Sequence, residues 1–224
     1  MTTNPRQPRL LPVPAVALWS DQQVRALPLW IGPDGIYHEG TENRDADGQL
    51  WPQVRGPQTG APQYAVLNPL KQCQAMEQLL CQVGMGPATR TEHGLLWVLP
   101  RPTGSLDDPE YDWDQGVTTT EPPVCLFHAR VSAHQCPRLS TRGPVAVYIR
   151  EAELVAVDGT YYPPPPTQAR PIKTVLPIDA PDTRLMVVDH LVRRLRAATP
   201  VDITDRTLAR GALPCNRRTR KKAR

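Results

Sequence analysis

The chain has 224 residues and a formal charge of +4, which allows one compact domain with extended ends, or at most two small ones. Leu, Val, Ile and Phe number 49, just above the level at which charged chains stay unfolded, so a core is expected but a small, aliphatic one. Pro and Gly number 41, well above the average of about 12%, so long helices and broad sheets are not expected to fill the chain.

No window approaches the run of about 18 apolar residues that a spanning helix needs, which excludes an integral membrane protein on this reading. The apolar stretch from Leu10 to Trp19 is interrupted by Pro12 and Pro14 and lacks a small-x-small exit, so no export signal is read there. Five cysteines, an odd and widely spaced set, suit free thiols or metal ligands better than disulfides; a cytoplasmic location follows as the default. The charge is polarised. From Arg184 onward there are 12 Lys or Arg against 3 Asp, a net of +9, whereas residues 1–183 carry 14 against 19, a net of −5. Such a terminal excess attracts phosphate backbones or an acidic partner surface, and equally describes a solvated end.

In chain order, residues 1–27 read as a Pro-spaced extended lead crossing the surface of a domain. Leu29-Trp30-Ile31 and Ile36-Tyr37-His38 around Pro33-Asp34-Gly35 read as a β-hairpin. Asn43, Asp45, Asp47 and Gly48 imitate the front of a calcium loop, but the twelfth position is Val54 and the bidentate carboxylate is missing, so a polar turn before a strand at 50–54 is expected. Asn68-Pro69 opens a helix, with Asn capping and Pro at the first position. Met76, Leu79, Leu80 and Val83 then form one apolar face that predicts helix as far as Val83. Residues 94–99 predict a strand, 100–122 an acidic surface loop carrying Asp107, Asp108, Glu110, Asp112 and Asp114, and 124–136 a second helix. Residues 145–149 and 154–157 predict two paired strands, and Pro163 to Pro166 a polyproline spacer. From Asp182 a third helix is expected, with Leu185, Val188, Leu191, Val192 and Leu195 inward and Arg193, Arg194 and Arg196 on its basic outer side. The expected organisation is thus the extended lead, one α+β domain over 28–198 with short antiparallel strands and about three helices, and a short helix and basic tail over 199–224.

One constellation carries chemistry. Cys81 stands at a helix end, and Cys125 and His128 fall at i and i+3 in the first turn of a later helix, where both side chains share a face and can meet one tetrahedral ion. This is the outline of a treble-clef Cys/His core. It is one ligand short, because Gly84 occupies the place of the first knuckle's second ligand; Cys73, His93, His134 and Cys136 are candidates to fill the gap, with Cys136 the choice carried forward. The competing reading makes Cys81 and Cys125 small buried hydrophobes.

Leu80 to Ala88 and Pro122 to Ala129 resemble uncharacterised actinobacterial proteins with a zinc knuckle of the form L-C-Q-V-C-G-x-P-A followed by P-P-V-C-L-P-C-A. The resemblance extends over about residues 30–198, with Gly84 in place of one Cys and His128 in place of another. It implies a fold more than an activity, with zinc as the cofactor.

Treble-clef knuckles also frame HNH nucleases, in which a His activates water. The interval between the two knuckles holds only His93, without an Asp before it, and Asp189-His190 falls after both, where it reads as a polar pair on a helix. No catalytic residue is assigned. The leading expectation is a binding or regulatory protein that contacts nucleic acid through Arg193, Arg194, Arg196, Arg217, Arg218, Arg220, Lys221, Lys222 and Arg224. The alternatives are a protein-assembly component without nucleic-acid binding and, behind it, a metal-dependent nuclease.

Overall fold

The computed structural model describes residues 12–25, 29–32, 35–38, 44–45, 47–101, 111–164, 170–205 and 207–208. Pro33-Asp34, Asn43, the acidic residues Asp107, Asp108 and Glu110, and everything beyond Leu208, including Cys215 and the terminal basic run, lie outside the described residues. The chain is a mixed α+β fold. Its first half holds β1 (Ala17–Trp19), β2 (Gln23–Arg25), β3 (Leu29–Gly32), β4 (Gly35–His38), β5 (Gln53–Arg55), β6 (Pro62–Leu67) and α1 (Pro69–Glu77). There follow β7 (Arg90–Thr91), β8 (Gly94–Pro100), β9 (Val117–Thr119), α2 (Leu126–Gln135), α3 (Pro137–Arg142), β10 (Pro144–Tyr161), β11 (Ile172–Pro177), a 3-10 turn at Pro181–Leu185 and β12 (Met186–Pro200).

Three two-stranded antiparallel ribbons, β1 with β6, β2 with β5 and β3 with β4, surround a six-stranded sheet of order β7-β8-β10-β12-β9, with β11 as the sixth strand paired to β10. The 18-residue β10 is its spine. β12 pairs along its whole length, while the other edge is shared, β8 taking residues 144–149 and β11 residues 156–161. β8 is buried on both faces. Leu96 and Val98 point into a core under α2 and α3 with Val124, Leu126, Ala129 and Tyr148, and Leu95, Trp97 and Leu99 into an opposite core with Val147, Ile149 and Leu195. That double burial is why its sequence is an unbroken apolar run. A third core joins α1 to the far half of the sheet through Met76, Val157, Met186, Val188 and Leu191.

Several expectations meet the structure directly. The hairpin at 29–38 forms in register Leu29↔His38 and Ile31↔Ile36. Asp45 makes the expected polar turn, its carboxylate accepting the backbone N–H groups of Asp47 and Gln49. Asn68 caps α1 by accepting Lys71 N–H at 3.1 Å. The lead departs from the expected surface crossing: its described part forms β1 and β2, and Val16, Ala17 and Leu18 are buried.

Others are corrected. α1 stops at Glu77 rather than Val83, because Leu79 turns left-handed (φ 53°) and Leu80 enters a tight loop bridged to Pro87. The segments at 145–149 and 154–157 are collinear parts of β10 rather than partners of one another. The helix expected from Asp182 is one 3-10 turn followed by β12. The ladder explains the misreading: the register jumps from Asp158↔His190 to Gly159↔Val188, so Asp189 is an extra, bulged residue in β12. Inward positions that would recur every two residues slip by one there, and Val188, Leu191 and Leu195 acquire the spacing of a helix face. The β-branched Val187, Val188 and Val192 fit the strand. Three α-helices are present among the described residues, but the third is α3 (Pro137–Arg142), opened by Pro137 and closed by Gly143 at φ 82°.

Candidate metal centre

The residue that ends α1 also begins the site. Past Leu79 the loop closes on itself through Cys81 N–H to Gly86 O at 2.8 Å and Met85 N–H to Cys81 O at 2.8 Å, with Met85 held at φ 52°. The Pro122–Pro123 segment, unable to join a ladder as a donor, lies across this loop: Gln82 N–H donates to Pro123 O at 3.0 Å, and Val124 N–H to Leu96 O at 2.9 Å. α2 then starts with Cys125 as its N-cap, extended at ψ 153°. Cys125 makes no side-chain cap; Thr89 Oγ1 instead accepts the Leu126 N–H at 2.8 Å, fixing the first turn of α2 onto the strand that follows the knuckle.

Cys81, Cys125 and His128 converge. Their ligand atoms all lie within 4.8 Å of one another and all three residues are buried. His128 Nδ1 is 3.4 Å from Cys81 Sγ and 3.2 Å from Cys125 Sγ. The hydrogen bond from Cys125 Sγ, followed by that of His128 and the N–H groups of Cys125 and Gly84, pulls the Cys81 thiol down to about 4 against the opposing effect of burial. A thiolate beside a helix N-terminus, ringed by N–H donors, is what soft-metal ligation requires of cysteine. The donor set is therefore compatible with a metal ion. Gly84 contributes a backbone N–H to the Cys81 sulfur and no ligand atom of its own.

Cys136 does not belong to this group. It is the C-cap at the other end of α2, and the rise of about 1.5 Å per residue carries it roughly 15 Å along the axis from Cys125. Cys73 lies in α1, its thiol pushed up to about 12 by burial and by Glu77, the opposite of a ligand's tuning. His93 is exposed beside Glu92.

The basic residues divide. Arg193 is buried, and its guanidinium donates to Met76 O through Nε at 3.0 Å and Nη2 at 2.7 Å, and to Ala152 O through Nη1. It joins α1 to the sheet and presents no free face. The expected outward position failed because strand, not helix, periodicity places Arg193 on the side of Leu191 and Leu195. Arg194 and Arg196 are half-buried over Gly116, with Glu153 and Glu151 opposite them on β10. Arg217, Arg218, Arg220, Lys221, Lys222 and Arg224 lie outside the described residues.

A second polar cluster went unread in the sequence. His190 Nδ1 donates to Asp158 Oδ2 at 3.1 Å, and Lys173 Nζ pairs with Asp189. The dipeptide was visible, but its partners come from two other strands. No helix among the described residues is long and apolar enough to cross a membrane. Comparison with protein-family models, with curated proteins and with solved structures found no match to this chain.

Proposed function

We propose that this protein is a non-enzymatic binding or regulatory module whose degenerate treble-clef-like core holds a structural zinc ion, and which contacts nucleic acid through its C-terminal basic region. The convergence of Cys81, Cys125 and His128 carries this reading. Zn–S and Zn–N bonds of about 2.3 and 2.0 Å at the tetrahedral angle set sulfur and nitrogen roughly 3.5 Å apart, and the two spacings here are 3.4 and 3.2 Å. Cys81 supplies the knuckle ligand, and Cys125 and His128 the helix ligands. When bound, zinc would tie α2 to the knuckle loop as a cross-link. The chain's own residues set the rest: Thr89 orients the first turn of α2, and the Gly84 and Cys125 N–H groups stabilise the Cys81 thiolate.

Support for nucleic acid comes from the sequence. Six of the last eight residues are Lys or Arg, whereas Arg193 is occupied within the core and carboxylates stand across from Arg194 and Arg196. Phosphate contact is therefore assigned to the tail, and its affinity should fall steeply as salt is added.

Elemental analysis of the purified full chain tests the metal. About one zinc per chain is expected in the native protein and a loss of most of it in Cys125→Ser; a metal-free native protein with unchanged thermal stability in that variant would sink the reading. The tail is tested by titrating labelled single- and double-stranded DNA and RNA at low and high salt, with and without the last ten residues. Salt-sensitive binding that disappears on truncation is expected. Absence of binding together with a stable hetero-complex on gel filtration would favour an assembly component instead.

A further inference from the structure

A groove of about 920 Å³ lies between β6, the knuckle loop at Gln82 and Val83, the corner of α2 and α3, and the part of the β10–β12 ladder beside β11. Its volume falls in the range of small-molecule sites. The walls are mostly apolar and include Tyr64 and Val66, both exposed on β6. Glu121, Arg138, Asp158, Lys173, Asp189 and His190 also line it.

Two observations single these residues out. Asp189 and His190 are consecutive in a strand, where side chains normally alternate between faces, yet both line the groove. The bulge at Asp189 makes that possible, and bulges of this kind re-aim side chains next to functional sites. The charges are also unequally held. Lys173 is 67% exposed over Asp189 at 20%, and Arg138 is 60% exposed over Glu121 at 27%. Asp158 is anchored by its bond to His190 across the ladder. The acids are thus part of the groove, whereas two of their counter-charges ride on long, flexible, exposed side chains. Such a cation is displaced at little conformational cost by another cation arriving from solution.

From this arrangement we infer that the groove is a binding site for a small organic cation, a primary amine carried on an apolar body, whose ammonium takes the place of Lys173 at Asp189 while its body lies against Tyr64 and Val66. The carboxylate favours a cation over a neutral or anionic ligand, and Tyr64 and Val66 receive the apolar body. Burial raises the Glu121 carboxyl, with Arg138 and His190 opposing that rise, and a bound ammonium nearby would add to their effect. None of Cys81, Cys125 and His128 lines the groove, and the inference does not use zinc.

The test is calorimetric titration of the full chain with 2-phenylethylamine, and with 3-phenylpropionate as the matched anion. The amine is expected to bind and the carboxylate to bind at least tenfold more weakly. Asp189→Asn should weaken the amine at least tenfold. Lys173→Ala, which removes the resident competitor from an exposed position, should tighten it several-fold. Thermal melts of both variants establish that they are folded, and if Asp189→Asn is not, Lys173→Ala decides. No heat with the amine, equal binding of the two probes, or weaker amine binding in Lys173→Ala would overturn the inference.

Discussion

Gln72 shows how much one side chain can settle in this fold. It sits on α1 and is fully buried. β9 pairs with β12 only from Arg193 to Leu195, so on the side away from β10 the backbone of Leu191 has no strand beside it. The Gln72 amide takes that place: Oε1 accepts Leu191 N–H at 3.1 Å, and Nε2 donates to Leu191 O at 2.9 Å and to Thr120 O at 2.8 Å. Leaving a buried peptide N–H and two carbonyls without partners is more costly than losing the bonds themselves. Gln72→Leu, which keeps the volume and removes the amide, is therefore expected to cost about 3 kcal/mol, read as a fall in the urea midpoint with an unchanged slope. A loss under about 0.5 kcal/mol would mean that water replaces the amide. Arg193 belongs to the same joint through Met76 O, so α1 is fastened to the sheet by hydrogen bonds as much as by Met76.

At the scale of elements, the pairing of β10 with β12 determines what else forms. The two bulges in this ladder, one on each strand, keep it twisted and let both strands run far longer than the Pro and Gly content suggests. Gly159 marks the second. A Cβ there would stand 2.2 Å from Val187 O and 3.0 Å from Val188 Cα, both backbone atoms of the partner strand, so the strands must separate to admit it. Gly159→Ala is expected to destabilise the protein by about 2 kcal/mol, as overpacking of a well-packed site does. Because the Asp158↔His190 pair adjoins the bulge, the same variant should also disturb the His190–Asp158 contact, visible as a shift of the His190 ring signals in NMR. Unchanged stability would show that β12 slides without cost. α2 illustrates the opposite dependence: its N-cap side chain makes no cap, and its first turn relies on Thr89 and on the knuckle loop.

For the whole molecule, the long central ladder and the small peripheral ribbons predict uneven resistance to opening. β10 and β12 contribute buried residues to three cores, while β2 and β5 pair through only three residues each and β2 is exposed throughout. Hydrogen exchange should leave the amides of residues 147–149 and 191–195 protected longest, near the global unfolding limit, and those of β2 and β5 exchanging first by orders of magnitude. Equal protection of the two would mean that the ribbon is integral to the cooperative unit. The distribution of charge operates at this scale too. The net of −5 falls on residues 1–183 and the net of +9 on residues 184–224, which include β12 of the sheet as well as the terminal basic run.

Local chemistry made part of this legible in advance. Asn68-Pro69 determined a helix start, Asp45 a polar turn, residues 94–99 a strand, and the Cys125-to-His128 spacing a shared helix face aimed at Cys81, because capping, turn formation and i, i+3 geometry depend on residues close in sequence. Other features depended on partners far along the chain. Apolar spacing alone does not distinguish a bulged strand from an amphipathic helix when the bulge turns a spacing of two into three, so the inward turn of Arg193 was decided by pairing with β10. Likewise the His190–Asp158 and Lys173–Asp189 pairs exist only because the ladder brings strands together, and Cys136 is set apart only because α2 runs straight. The sequence alone determined where short segments begin and which residues are able to hold a metal; the tertiary structure decided which of them meet, because the faces of a strand are assigned by its neighbour and not by its own residues.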